Sequence, residues 1–181
     1  MKSNKTLKLA LGIVAASFAA TGLALNEAKS LNPVSVSFDA KDSYSDISDD
    51  TIKTKKSEKR VLDEVSKSFR ENASKYLPNG YELRVAVNDI DLAGDRSPLT
   101  STFGEIRVLT SAFPPRIVFD YEVVDPNERV VASGSARLVN LNYQNDLRSV
   151  GRNSDSPAPY IDELIKQWSS RELRKAVNSI E

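Results

Sequence analysis

The sequence contains no histidine and no cysteine, and only one methionine and one tryptophan. Without His, no side chain ordinarily titrates between about pH 5 and 8, and Ser-His-Asp and Cys-His catalysis are both excluded. The usual zinc and haem ligand sets go with them. Gly12, Gly22, Gly80, Gly94, Gly104, Gly134 and Gly151 are scattered and none precedes a lysine, so no phosphate-cradling loop is present. The Ser-x-x-Lys pattern of acyl-transfer enzymes is missing after residue 24. Carboxylates remain, and glycoside hydrolysis needs only two of them. Since most domains have enough acids for that, the inventory leans away from an enzyme, and no cofactor is expected.

Hydrophobic runs of membrane-spanning length, about 20 residues, are also lacking. The apolar run Leu9–Ala20 (LALGIVAASFAA) has 12 residues, follows Lys2, Lys5 and Lys8, and precedes the small residues Gly22 and Ala24. That is the pattern of a secretory signal peptide, residues 1–24, cut after Ala24. Removing 24 of 181 residues leaves 157, and the loss of three lysines leaves 22 basic against 25 acidic residues. A mildly acidic chain without a dense basic block has no electrostatic footprint for nucleic acid. A secreted chain without Cys is neither a disulfide scaffold nor a lipoprotein held by an acylated cysteine. Residues 25–181 are therefore expected to form one domain resting on its hydrophobic core, with no membrane span, in a bacterial periplasm.

Hydrophobic spacing predicts the elements. Val34, Val36 and Phe38 alternate with serines as in a half-buried strand, and 39–59 is a polar connector in which Tyr44 and Ile47 are the tacking points. From Lys55 to Leu77, Leu62, Val65, Phe69, Ala73 and Tyr76 make one helical face, which Pro78 and Gly80 end. Strands follow at Tyr81–Val87, at Ile106–Val108, and as a hairpin around the turn "DPNE" (Asp125–Glu128), with Gly134 marking a bulge or a close contact. Ser156 caps a last helix whose stripe Ile161, Leu164, Ile165 and Trp168 slips by about a quarter turn to Leu173, Ala176, Val177 and Ile180. The slip marks Ser169-Ser170 as a bend or a break. The order β-α-β-β-β-β-α predicts an α+β two-layer sandwich: a mainly antiparallel sheet of about five strands, its first β-α-β unit parallel, with two helices on one face. The opposite face carries Arg84, Arg116, Asp120, Glu122, Ser133, Ser135 and Arg137.

The stretch "VAVNDIDLAGD" (Val85–Asp95) concentrates acidic residues. Apolar side chains occupy odd positions up to Val87 and even positions at Ile90 and Leu92, a change of phase that a β-bulge near Asn88-Asp89 would produce. Asp89 and Asp91 then point to one side, about 6.6 Å apart, too far to share a proton. The spacing lacks the closing Glu of an EF-hand, and a calcium ion needs about 6–8 oxygens. Structural tying of a loop leads, partner docking comes second, and a metal at Asp89 and Asp91 comes last. Asp89, Asp91, Asp95, Arg116 and Tyr143 are the candidate partner or ligand surface.

Several stretches together resemble a family of uncharacterised secreted proteins of Gram-negative bacteria, domain of unknown function 3016. They are "NDIDLAGD" (Asn88–Asp95), "IRVLTSAFPPRIVFDYEV" (Ile106–Val123), "LVNLNY" (Leu138–Tyr143), "YLPNGYEL" (Tyr76–Leu83) and Trp168. The chain departs from the family pattern at Asn140, where an acidic residue is expected, and in a hairpin turn without Gly. The resemblance implies an envelope location and no activity. The expected function is a non-enzymatic binding module for an envelope protein or glycan. The alternatives are a carboxylate-dependent hydrolase of envelope glycans and a calcium-binding periplasmic protein.

Overall fold

The structure is a computed structural model that describes residues 32–39, 44–48, 54–97, 106–145 and 155–180; the segment 1–24, expected to be a signal peptide, lies outside them. Strand β1 (Val34–Phe38) runs parallel to β2 (Glu82–Asp91), which pairs antiparallel with β5 (Arg116–Val124), itself antiparallel to β6 (Val130–Val139). These four strands form one mixed sheet in the order β1-β2-β5-β6. The short strand β4 (Ile106–Val108) does not join it: β4 pairs with β3 (Asp95–Ser97) in a separate two-stranded ribbon. The sheet therefore has four strands, and the mixed α+β architecture read from the sequence stands.

Helix α1 (Lys55–Ala73) connects β1 to β2 and starts with a capping box, Thr54 and Ser57 bonding each other's backbone N–H at 3.1 and 3.2 Å. Its face of Val61, Val65, Phe69 and Ala73 is fully buried. Helix α2 (Pro159–Trp168) lies beside α1. Ser156 is not its N-cap, because Ala158 occupies that position; the Ser156 hydroxyl instead accepts the Ala158 N–H at 3.1 Å and donates to Asp162 at 2.6 Å.

The slip in the last helical stripe is a π-helical turn, Ser169–Leu173, leading into the short helix α3 (Arg174–Asn178). Each π turn takes up one residue more than an α turn. The extra residue brings Leu173 and Val177, at 0% and 4% exposure, onto the side already buried by Ile161, Ile165 and Trp168. Ser169 and Ser170 donate their hydroxyls to the carbonyls of Ile165 and Gln167 at 2.8 and 3.0 Å, occupying acceptors that the widened ladder uses poorly.

Between the layers, Trp168 meets Phe119, Tyr121 and Phe69 edge-on, with ring centroids 4.9, 5.1 and 6.1 Å apart. Gly134 makes the close contact: a Cβ there would stand 3.1 Å from the Tyr121 ring. The hairpin's bulge lies elsewhere, between Val123 and Val124. In the turn, Asp125 Oδ1 accepts the N–H groups of Asn127 and Arg129 at 2.8 and 3.0 Å, and Oδ2 accepts two guanidinium N–H groups of Arg129. The Arg129 backbone bond leads these interactions in holding the carboxyl down at about 2. Glu128 pays for the missing glycine with φ +61°. Glu128→Gly is expected to raise stability by up to about 1 kcal/mol, since the exposed Arg84–Glu128 pair it removes contributes little. Urea denaturation checks this; a lower midpoint would refute it.

Among the described residues no helix is long and apolar enough to cross a membrane.

Candidate functional site

The change of hydrophobic phase in β2 is a bulge: the register to β5 shifts between Val87 and Asp89. It puts Ile90 and Leu92 in the core, at 0% and 5% exposure. Asp89 and Asp91 then face the open side of the sheet, where Arg116 of β5, the cross-strand neighbour of Asp91, comes up between them. One Arg116 nitrogen lies 2.9 Å from Asp89 and 3.2 Å from Asp91. Ser45 completes the group, its N–H and hydroxyl donating to Asp89 at 2.8 and 2.9 Å while its oxygen accepts from Arg116 at 3.0 Å.

These contacts attach the segment 44–48 to the end of β2. The Asp46 N–H donates to Ile90 O and the Leu92 N–H to Asp46 O, both at 3.0 Å, which makes a short parallel bridge. Ile47 is buried and Tyr44 packs against the core, as their sequence context suggested. A second arginine, which sequence reasoning did not single out, secures the same segment from the ribbon. Arg107 donates to Ala93 O and Gly94 O at 3.1 and 3.2 Å, to Asp46 at 2.6 Å, and to Ser48 O at 2.7 Å. Gly94 is required there: its φ is +80°, and a Cβ would fall 2.5 Å from Val108 O.

The two aspartates differ electrostatically. Burial works against the charge of Asp89, but the Ser45 donors and Arg116 outweigh it and hold its carboxyl below the usual range. Burial pushes Asp91 up, helped by the charges of Asp89 and Asp46 and opposed by Arg116 and Arg107. The Arg116 guanidinium occupies the space between the carboxylates that a shared cation or a scissile bond would need. Among the described residues no group of three or more acidic side chains is placed to hold a metal ion.

Of the remaining candidates, Asp95 is exposed on β3. Tyr143 lies apart from the aspartates and fully buried, its hydroxyl donating to Thr110 O at 2.9 Å and its ring edge-on to Tyr160. The structure thus brings Asp89, Asp91 and Arg116 together and leaves Asp95 and Tyr143 outside that group.

Beside the group is an open cleft of about 390 Å³, whose lining includes Asp91, Arg116, Arg137, Phe113, Pro114 and Leu141. Phe113 and Leu141 are 47% and 76% exposed. Arg137 faces the cleft from β6, and no ion pair or hydrogen bond links its side chain to another group among the described residues. A smaller, mainly apolar cleft of about 160 Å³ lies between Leu92, Leu109 and the start of α2, below the roughly 300 Å³ typical of ligand pockets.

Residues 32–171 match the model of the family described as Protein of unknown function (DUF3016). The chain belongs to this family. No curated protein and no solved structure matches the chain. The matched span of the DUF3016 protein includes the aspartate–arginine group, the ribbon and the cleft, and it ends inside the π-helical turn.

Proposed function

We propose that this DUF3016 protein is a secreted, non-enzymatic module of the bacterial cell envelope that binds an acidic, apolar segment of another envelope protein in the cleft beside Arg137. The observation that carries the reading is the uncommitted Arg137 guanidinium next to the exposed side chains of Phe113 and Leu141. Aromatic residues and arginine are the types enriched where proteins bind one another, and an arginine without a partner favours a carboxylate. Asp89 and Asp91 have the supporting task of holding Arg116 and the 44–48 segment as a rigid wall. The secretory pattern of residues 1–24 and the lack of His and Cys support location and absence of catalysis respectively.

An array of short peptides tests this reading. Peptides pairing Asp or Glu with a large apolar residue should bind, and Phe113→Asp should weaken them by about tenfold or more, as loss of an interface anchor does. Equal binding of peptides carrying Lys in place of the acid, or of the variant, would overturn it.

A further inference from the structure

Strand β6 is the outermost strand of the sheet on its side and is ten residues long. The Asn140 N–H donates to Pro115 O, so it points back toward β5. By strand alternation, residues 132, 134, 136 and 138 direct their main-chain groups the same way, while residues 133, 135, 137 and 139 direct theirs outward. Among the described residues no main-chain bond from outside the sheet reaches those outward groups.

Exposed edges are normally guarded by shortness, proline, lysine or a bulge. The opposite edge meets that rule, since β1 has five residues and follows Pro33. The β6 sequence VVASGSARLV has no proline and no lysine, its one charge is Arg137, and its bulge lies at the very start.

The strand's own pattern identifies what covers it. About Gly134, in the regular part of the strand beyond its bulge, the sequence is palindromic, with Ser133 matching Ser135 and Ala132 matching Ala136. An antiparallel pairing of two copies about a two-fold axis at Gly134 sets each residue opposite its match. Such an interface must be self-complementary. The outward groups of Ser133 then face those of Ser135 of the second copy, which is the condition for a hydrogen-bonded pair. Arg137 stands opposite Val131 of the second copy, so no like charges meet. Val130 and Leu141, 51% and 76% exposed, are the two most exposed large apolar side chains among the described residues and sit at opposite ends of β6. The same axis brings each end of one strand against the other end of its copy.

We infer that β6 joins two copies of this chain edge to edge, merging two four-stranded sheets into one continuous sheet with both open faces on the same side. Sedimentation equilibrium of the purified protein, run upward from micromolar concentration, should give twice the chain mass. Ser135→Pro removes an outward N–H without breaking a main-chain bond to β5, losing only the exposed hydroxyl bond of Ser135 to Asp120, and should give a monomer with an unchanged circular dichroism spectrum. Ser133→Lys combined with Ser135→Lys keeps the backbone intact, puts like charges opposite each other across the axis, and should also give a folded monomer; it decides the matter if the proline variant fails to fold. A wild-type protein that stays monomeric throughout, or a folded double-lysine variant that still dimerises, would overturn the inference.

Discussion

Trp168→Ala should cost about 3–5 kcal/mol of folding stability, as removal of a fully packed large aromatic does. Trp168 is 4% exposed and is the common neighbour of Phe69 on α1 and of Phe119 and Tyr121 on β5. Removing it leaves a cavity where both helices rest on the sheet, and it also forfeits three edge-on ring contacts. Since a domain's whole stability is about 5–15 kcal/mol, the variant should unfold at a far lower urea concentration. Trp168 is the only tryptophan, so unfolding has to be followed by far-ultraviolet circular dichroism rather than by its own fluorescence. Trp168→Phe retains most of the packing and should fall between the two. An alanine variant that unfolds within about 1 kcal/mol of wild type, against the cavity cost above, would mean that the aromatic cluster does not join the layers.

The bulge in β2 and the place of the π turn after α2, expected there as a bend or a break, were both legible in the sequence for the same reason. Each inserts one residue into a periodic pattern, and the apolar side chains after it stay on the buried side only by changing phase. That is visible at Val87 to Ile90 and at Trp168 to Leu173 without any contact being known. What pairs with the exposed phase was not legible. Arg116 lies 27 positions from Asp89, and Arg107 lies 61 from Asp46; charges scattered along a chain do not reveal such partners. The strand Ile106–Val108 was legible, but its partner Asp95–Ser97 was not, because three residues with no apolar side chain carry no periodicity to register. Tyr143 misled for the opposite reason: its neighbours Asn140, Asn142, Gln144 and Asn145 make the segment read as surface. Its ring is nevertheless held inside by Tyr160 and by the bond to Thr110. Ser156 beside two prolines looked like a cap, and the same hydroxyl is committed to Asp162.

Asp162→Asn should stabilise the protein near pH 7.5 and have little effect near pH 4. Asp162 is 8% exposed between α1 and α2, and its Oδ1 has no hydrogen-bond partner. Burial, with the nearby charge of Glu64, pushes its carboxyl up to about 6, against the hydrogen bond from Ser156, the nearby Ser68 hydroxyl and the charge of Lys67. Because the folded value lies above the unfolded one of 3.8, the folded state keeps its proton after the unfolded chain has lost it. The stability this provides is complete below about pH 4 and disappears as pH rises through about 6, the folded value. Above that, an ionised carboxylate sits where one oxygen has no donor, at a cost on the order of 3 kcal/mol, the rise from 3.8 to about 6 multiplied by about 1.4 kcal/mol per pH unit. An amide stays neutral throughout and can still accept from Ser156. Asp125 has the opposite dependence: its carboxyl is held down at about 2, so its contribution is present above about pH 4 and is lost as pH falls through about 2. The two windows do not overlap, so the difference between variant and wild type isolates Asp162. Urea midpoints measured at pH 4 and pH 7.5 should diverge only at the higher pH. An equal difference at both would show that Asp162 is not a buried acid that ionises in the folded protein.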